Sequence, residues 1–459
     1  MISYRAKVDP ETLSKGILDD ILNRLDDYIN ADPLSSLLKR NQLISPYSKP
    51  SNSTFRVMSY NVLADSLTQM EEVASRPSYE LKYLNWNYRA KLLFSEIKTY
   101  NPDILCLQEV DHHNGSFKEC FENDYYIYYR KRANGKIDGC MTLVKKTKFI
   151  VIEAHYVEFF VSAEDPLLNK DNICLILVVQ SLHDGSVLIV ANTHLLFNHN
   201  RGEIKIAQAY LALKACSALA ETYKKQDVNI IYAGDFNSTP QSGIYEFLRK
   251  GEFDFREIRS NVLSGQKLGA FENTKWFKTL QEFLVSNVNR YRFNFKVQEN
   301  NMDFLSSWLF YLKKIKVVVK SPNENGEIQK IDFEVSEMGE EFDPSKDENW
   351  RLYNDFYMMS AYGNFQKFYY GLKFQKHPSE VKYPHYSTFE PLYTHRTGQS
   401  LLTVDYIWYC SRYSHQGKKL KISSLFELPR IEDGLKVHVF PNRIYPTDHL
   451  SLVVDFEMS

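Results

Sequence analysis

An α/β fold in which β-sheets pack face to face beneath an outer cover of helices is what this sequence predicts. Three observations carry it. Many short apolar runs have strand length, and only a few longer segments between them show helical periodicity. The 44% hydrophobic and 14% aromatic residues also suffice for a large core. At 459 residues the chain has room for one large domain with insertions or for two ordinary domains.

The elements follow in order. Residues 9–30 predict an amphipathic helix. Asp9 suits its N-cap, Pro10 its first turn, and Leu13, Ile17, Leu18, Ile21, Leu22, Leu25 and Ile29 recur on one face. Such a helix either packs on its own domain or docks a protein partner. Ser45–Thr54, rich in Pro, Ser and Asn, reads as a linker. Residues 1–50 are therefore expected to be helix and linker, and residues 54–459 the folded domain.

From Phe55, FRVMSYN predicts a strand, NYRAKLLFSEIKTYNPD a helix closed by Pro102, and DILCLQEVD a strand. YYIYYRKRANGKIDGCMTLV predicts two strands joined around Asn134-Gly135, because that dipeptide accepts the positive φ angles of a tight hairpin turn. NICLILVVQ and VLIVANTHLLF read as strands, EIKIAQAYLALKACSALAETYKK as a helix, and VNIIYAGDFN as a strand. TVDYIWYC and HLSLVVDF close the chain as strands. Between about Gly251 and Lys382 the composition shifts. SEMGEEFDPSKDENW is an acidic run, and KIKVVVKSPNENGEIQKIDFEV predicts a hairpin across an Asn-Gly turn. Residues 251–382 are expected to be an insertion in the same domain. No internal repeat is evident.

Composition narrows the function. With a formal net charge of −1, a nucleic-acid partner would have to be held by a local basic patch. The six cysteines (Cys106, Cys120, Cys140, Cys174, Cys216, Cys410) form no closely spaced pair, so they read as buried, reduced thiols and not as a zinc or redox motif. The start MISYRAKVDPETL has no apolar signal core, and no window approaches ~18 consecutive apolar residues. An intracellular, cytoplasmic protein without a membrane span is expected, with nuclear or mitochondrial addresses left open.

Polar residues at strand ends carry the chemistry. Asn61 follows FRVMSY, Glu109 follows ILCLQ, His194 follows VLIVANT, and Asp235 with Asn237 follows VNIIYAG. Asp405 begins VDYIWY, and Asp448-His449 leads into LSLVVDF. Any one of these alone reads as a turn former or cap. Together they suggest one cleft, because strand ends converge at the edge of packed sheets. Glu109, Asp235 and Asp448 are hard oxygen ligands that suit Mg2+ or Mn2+ better than zinc. If the strand stays extended, Asp235 and Asn237 project from one face. The carboxylate can then take a proton from an attacking water, and the amide can donate to a phosphoryl oxygen. Asp405 is placed to hold a protonated His449, which would neutralise charge developing on phosphorus. A metal-dependent phosphoesterase follows. The sequence lacks the G-x-S-x-G elbow of a serine hydrolase and the phosphate loop of an NTPase.

SYNVLAD, LCLQEVD, NTHLLF, YAGDFNSTP, VDYIWY and PTDHLSL resemble, in order, the signature blocks of the endonuclease/exonuclease/phosphatase, or DNase-I-like, superfamily. SYNVLAD with LQEVD is similar to its deadenylase-type branch. YYRKRANGKIDGC, LLNKDN, NTHLLFNHNRGEIKIAQ, SGQ after a strand at 254–258, and MMSAYGNF resemble the Angel proteins. The likeness runs from about Thr54 to Phe456. It implies a four-layer α/β sandwich of two packed mixed sheets flanked by helices. It also implies roles: Glu109 as metal ligand with Asn61 beside it, Asp448 as a further metal-site carboxylate, and Asp235 on the nucleophile. Asn237, His194 and His449 would contact phosphate, with Asp405 orienting His449. Deadenylases stack an aromatic residue on adenine before the VDYI block, and neither Phe389 nor Tyr393 matches that role in YSTFEPLYTHRTGQSLLTVDYIWY. The Angel likeness instead implies removal of a 2′,3′-cyclic phosphate from single-stranded RNA 3′ ends. A 3′–5′ exoribonuclease or poly(A) deadenylase is the first alternative, and a non-catalytic RNA-binding or translation-complex adaptor the second.

For substrate grip, Tyr128, Tyr129, Arg130, Lys131, Arg132 and Lys136 mix rings with cations on the predicted hairpin, a combination that suits single-stranded RNA. Arg201 and Lys205 follow NTHLLF closely and are expected to line the cleft. His112 and His113 are adjacent and cannot easily face one ion, so they read as surface residues.

Overall fold

The computed structural model describes residues 40–45, 53–68, 78–160, 168–255, 417–429 and 440–459, with shorter stretches between 263 and 414. The helix expected over 9–30, and residues 336–345 of the acidic run, lie outside the described residues.

In the first half of the chain the strands are β1 (Gln42–Ile44), β2 (Thr54–Asn61), β3 (Ile104–Val110), β4 (Tyr125–Lys131), β5 (Gly139–Lys145), β6 (Phe149–Phe160), β7 (Asn169–Ser181), β8 (Val187–His194) and β9 (Val228–Asp235). After them come β10 (Glu252–Asp254), β11 (Ile315–Val318), β12 (Gln329–Lys330), β13 (Asp332–Val335), β14 (Arg351–Tyr353) and β15 (Met359–Ser360). The last are β16 (His395–Thr397), β17 (Ser400–Leu402), β18 (Asp405–Tyr413), β19 (Leu420–Phe426) and β20 (Leu452–Met458). The α-helices described whole are α1 (Trp86–Tyr100), α2 (Lys118–Phe121), α3 (Gly202–Thr222) and α4 (Gly243–Lys250).

One sheet runs β1-β19-β20-β2-β3-β5-β4 and the other β12-β6-β7-β8-β9-β18-β15. Both are mixed: β2–β3 and β8–β9 are parallel, whereas β2–β20 and β9–β18 are antiparallel. Period-2 alternation of apolar side chains builds the layers. Val57, Ile104 and Cys106 face the second sheet and pack with Leu188, Ile231 and Val454. Their neighbours Met58, Leu105 and Leu107 face away, onto Leu93 and Phe94 of α1 and Phe121 of α2. The outer face of the second sheet, with Ile189 and Ile230, packs on Leu211 of α3 and Phe247 of α4. The result is the four-layer α/β sandwich expected of the sequence. Both sheets are buried on two faces, which is why their strands read as near-continuous apolar runs.

Some elements differ from expectation. Helix α1 stops at Tyr100 because Asn101 turns left-handed at φ 46, one residue ahead of Pro102. Strand β6 escaped the pattern because Glu153 and His155 interrupt its apolar run, yet both are buried and lie 2.7 Å apart. Strand β19 escaped for a similar reason, its Ser423 and Ser424 being buried on Asp455. The hairpin expected over KIKVVVKSPNENGEIQKIDFEV is divided. β11 pairs with β13, whereas Gln329–Lys330 joins the second sheet beside His155 and Tyr156.

The folded unit also begins earlier than residue 54. β1 pairs with β19, and Arg40 reaches 2.6 Å to Glu96 with both side chains almost fully buried. Tyr60 and Ser451 also donate to Glu96. Arg40→Ala would strand a buried carboxylate, so urea denaturation is expected to show a loss of about 3–5 kcal/mol. A loss under about 1 kcal/mol, the scale of an exposed ion pair, would mean that Arg40 is not docked there.

Candidate active site

β2, β3, β8 and β9 all end, and β18 begins, at one edge of the two sheets. Register brings their terminal residues together: Asn61 lies opposite Gln108, His194 opposite Asp235, and Asp405 opposite Asp235. Gly234 makes the closest of these approaches. It has φ 143, and a Cβ there would sit 1.9 Å from the Thr193 carbonyl oxygen.

Asn61 sits between two acids. Its Nδ2 donates to Glu109 Oε1 at 3.0 Å and to Asp235 Oδ2 at 3.1 Å, while its Oδ1 accepts from the Leu63 N–H. In this placement Asn61 bridges the carboxylates with its nitrogen and offers them no oxygen. Glu109 Oε2 accepts from the Ala64 N–H, and Glu109 holds a left-handed φ of 58. Both acids offer the oxygens that a hard divalent cation takes, and as placed they are bridged by the Asn61 amide nitrogen.

Two imidazoles flank Asp235. His194 Nε2 lies 3.6 Å, and His449 Nε2 3.7 Å, from Asp235 Oδ2. His449 Nδ1 is 2.9 Å from Asp405 Oδ2, and Thr394 donates to that same oxygen. Burial by itself would push the His449 imidazole down. The surrounding Asp405, Asp448 and Asp235 carboxylates outweigh it and hold the ring protonated well above its ordinary range.

Asp448 lies beside His395 and His449, whose Nε2 atoms are 3.3 and 3.9 Å from its oxygens. Against burial, those two imidazoles hold the Asp448 carboxyl below the usual carboxylate range. One ligand atom from each of His395, Asp448 and His449 lies within 4.8 Å of the others, and the same is true of Asp235, Asp405 and His449.

Several expected placements change. Asn237 is not on the face of Asp235, because the strand stops at Asp235 and Asn237 turns left-handed at φ 47. Its amide donates to the Leu195 carbonyl and its backbone N–H to Asp235 Oδ1, so it braces the carboxylate from behind. Lys205 does not line an open cleft. It is wholly buried on α3, and its Nζ donates to the Asn237 carbonyl at 2.6 Å and to Gln266 Oε1 at 3.1 Å. Burial pushes its ammonium down to about 7, against the pull of Asp235.

His112 and His113 are half-buried, each against a ring. His112 stacks on Trp86 at 4.3 Å and His113 on Tyr129 at 3.7 Å. On the hairpin, β5 begins at Gly139 opposite both Val110 and Lys131, so the 132–138 tip extends past the edge where Glu109 lies. Arg130 covers the Tyr156 ring at 3.8 Å and pairs with Glu158, and Arg132 pairs with Asp138. Lys131 and Lys136 are exposed. Arg201 pairs with Glu203.

The sequence reading did not single out His395 or Arg89. Arg89 is fully buried beneath the site, donating to the Val62 and Leu84 carbonyls. Nothing in NYRAKLL distinguishes it from an exposed helical arginine.

Comparison with known proteins agrees with this arrangement. Residues 58–311 match the model of the Endonuclease/Exonuclease/phosphatase family. The chain is 27% identical over 420 residues to Protein angel homolog 2 of Homo sapiens, covering 88% of this chain and 69% of that protein. It is 37% identical over 223 residues to Protein angel homolog 1 of Homo sapiens, covering 46% of this chain but only 33% of that protein. Among solved structures it is similar to ANGEL2, a 2′,3′-cyclic phosphatase, in complex with adenosine-2′,3′-vanadate. That likeness has a TM-score of 0.61 and 26% identity, and covers 92% of this chain and 99% of that one. The fold also matches the human Nocturnin catalytic domain, with a TM-score of 0.50 and 19% identity over 92% of this chain and 99% of that one. This chain belongs to the Endonuclease/Exonuclease/phosphatase family, as an Angel-like phosphoester hydrolase.

Proposed function

We propose that this protein is a Mg2+- or Mn2+-dependent phosphoesterase that hydrolyses terminal 2′,3′-cyclic phosphate on single-stranded RNA. The observation that supports it most is the placement of Asp235 between two imidazoles and the Asn61–Glu109 pair, in a chain that shares its fold with a 2′,3′-cyclic phosphatase nearly end to end. No helix among the described residues is long and apolar enough to cross a membrane, and the reading requires none.

Each group then has a task. Asp235 orients a water and accepts its proton as the water oxygen bonds to phosphorus and the phosphorus–oxygen bond to the ribose breaks, the departing ribose oxygen taking a proton from solvent water. The His449 imidazolium, steadied by Asp405, faces the phosphoryl oxygens, and His194 approaches from the other side. Asn237 and Lys205 keep Asp235 in position. A divalent ion at Glu109, when bound, neutralises charge on the phosphoryl group. The exposed Lys131 and Lys136 at the hairpin tip supply a backbone contact for the strand. Tyr393, buried at 2% exposure, offers no open face to an adenine, and Phe389 lies outside the described residues.

One gel tests the reading. An oligonucleotide ending in a cyclic phosphate and a poly(A) oligonucleotide ending in a hydroxyl are incubated with wild-type protein and Mg2+. Expected are loss of the cyclic terminus and no ladder from poly(A), with turnover abolished by chelator and in Asp235→Ala. A poly(A) ladder with the cyclic terminus intact would make the protein a 3′-exonuclease instead.

A further inference from the structure

We propose that Phe197 is a stacking platform for the base of the terminal nucleotide, a subsite that recognises an aromatic ring and not a sequence. Phe197 is 70% exposed, although Leu195 is wholly buried and Leu196 packs against the core. It follows His194, the last residue of β8, by three positions, which span at most about 11 Å. The Lys205 ammonium lies 2.6 Å from the Asn237 carbonyl and 3.5 Å from the Phe197 carbonyl. The backbone of Phe197 therefore adjoins the segment that braces Asp235.

A lone exposed ring is ordinary on a protein surface. What sets this one apart is its mounting. The Leu195 N–H donates to the Asp235 carbonyl at 2.9 Å, and the Leu196 N–H to Gln208 Oε1 at 3.0 Å. Gln208, fully buried on α3, donates to Asn172 Oδ1 at 3.3 Å, and Asn172 of β7 donates to the His194 carbonyl at 3.0 Å. On the other side, the Ser264 hydroxyl donates to the His199 carbonyl at 2.7 Å, and the Asn200 N–H to Asn198 Oδ1 at 2.9 Å. The chain is thus held before and after a residue that itself gains little from burial. A loop fixed in this way loses its freedom on folding, so a ligand stacking on the ring does not have to supply that ordering.

The surroundings select the ligand. Asn198, His199 and Asn200 continue the loop as polar residues, so the apolar surface offered there is one ring across. That suits a nucleobase, whereas an amphipathic helix or an acyl chain needs an extended apolar face. The base would belong to the strand end whose phosphate meets His194 and Asp235, and this choice of ligand rests on the phosphoesterase reading. Every base has a π-face, so purines and pyrimidines are both expected to be accepted.

The test measures binding of the full chain, in Mg2+, to single-stranded pentanucleotides labelled at the 5′ end and ending in a 3′-phosphate. The last nucleotide carries adenine, uracil or no base. Wild type is expected to bind the two base-bearing strands at least about 5-fold more tightly than the abasic one. Phe197→Leu should bind all three as weakly as wild type binds the abasic strand, and Phe197→Trp should restore the difference. An unchanged urea melt is expected for both variants, because the ring is exposed. Wild type indifferent to the missing base, or binding none of the strands, would overturn the subsite, as would full discrimination in Phe197→Leu. In turnover of a cyclic phosphate end, Phe197→Leu should raise KM and leave kcat within about 2-fold, because stacking is the same before and during bond breaking. If the base dependence appears while wild type leaves cyclic phosphate untouched, the substrate assignment fails and the subsite stands. If wild type and Phe197→Leu clear cyclic phosphate with equal kcat/KM, the activity stands and the subsite fails.

Discussion

Asp235→Asn is expected to lower kcat/KM for phosphoester hydrolysis by about 10³-fold or more, with a stability change of only about 1–2 kcal/mol. The substitution keeps the volume of a side chain that is almost wholly buried. Its oxygen can still accept from the Asn237 N–H, as Asp235 Oδ1 does at 2.8 Å. Its new amide nitrogen would meet the Asn61 Nδ2 donor where Oδ2 now accepts at 3.1 Å, and that mismatch accounts for the small loss of stability. The catalytic loss is larger because the base is gone, and a 10³-fold change corresponds to about 4 kcal/mol of barrier. Steady-state kinetics and a urea melt on the same preparation separate the two effects. Retention of a tenth of wild-type kcat/KM would remove Asp235 from the chemistry.

The gap between those two magnitudes bears on what a sequence can reveal. Asp235, Glu109, His194 and Asp405 were legible because each interrupts an apolar strand at its end, and the strands' alternation fixed which edge they share. The four-layer packing was legible for the same reason, from period 2 alone. What stayed hidden depends on contacts far apart in the chain. Lys205 looks like any helical lysine in EIKIAQ until Gln266, 61 positions away, and the Asn237 carbonyl close over it. Asn237 was expected on the face of Asp235 only if the strand stayed extended, and the left-handed φ that ends it leaves no mark in YAGDFN. His395 sits in a segment with little periodicity, and only the backbone bridge to His449 brings it to Asp448. Arg40 fell outside the expected domain because its partner Glu96 lies on α1.

Glu109 is where function and local stability conflict most openly, and its substitutions should separate them. Its φ of 58 costs a residue with a Cβ about 1–2 kcal/mol, and the β3–β5 register is broken at this point, between Leu107 and Val110. Strain of this kind is held at functional sites by the surrounding structure. Here the hold comes from Asn61 Nδ2 and the Ala64 N–H, one on each carboxylate oxygen. Glu109→Ala loses both hydrogen bonds and keeps the strain, whereas Glu109→Gly loses both and relieves it. The glycine variant is therefore expected to be more stable than the alanine variant by about 1 kcal/mol, the reverse of the usual order within a strand. Both should lose about 10³-fold in kcat/KM, because neither leaves an oxygen for the ion. Glu109→Gln, which keeps one carbonyl oxygen, should retain measurable turnover but raise the half-saturating Mg2+ concentration at least about 10-fold. Urea melts of the Ala and Gly variants and a Mg2+ titration of the Gln variant decide the matter. Alanine more stable than glycine would mean that the left-handed turn is not strained, and an unchanged Mg2+ requirement in Glu109→Gln would take the ion away from Glu109.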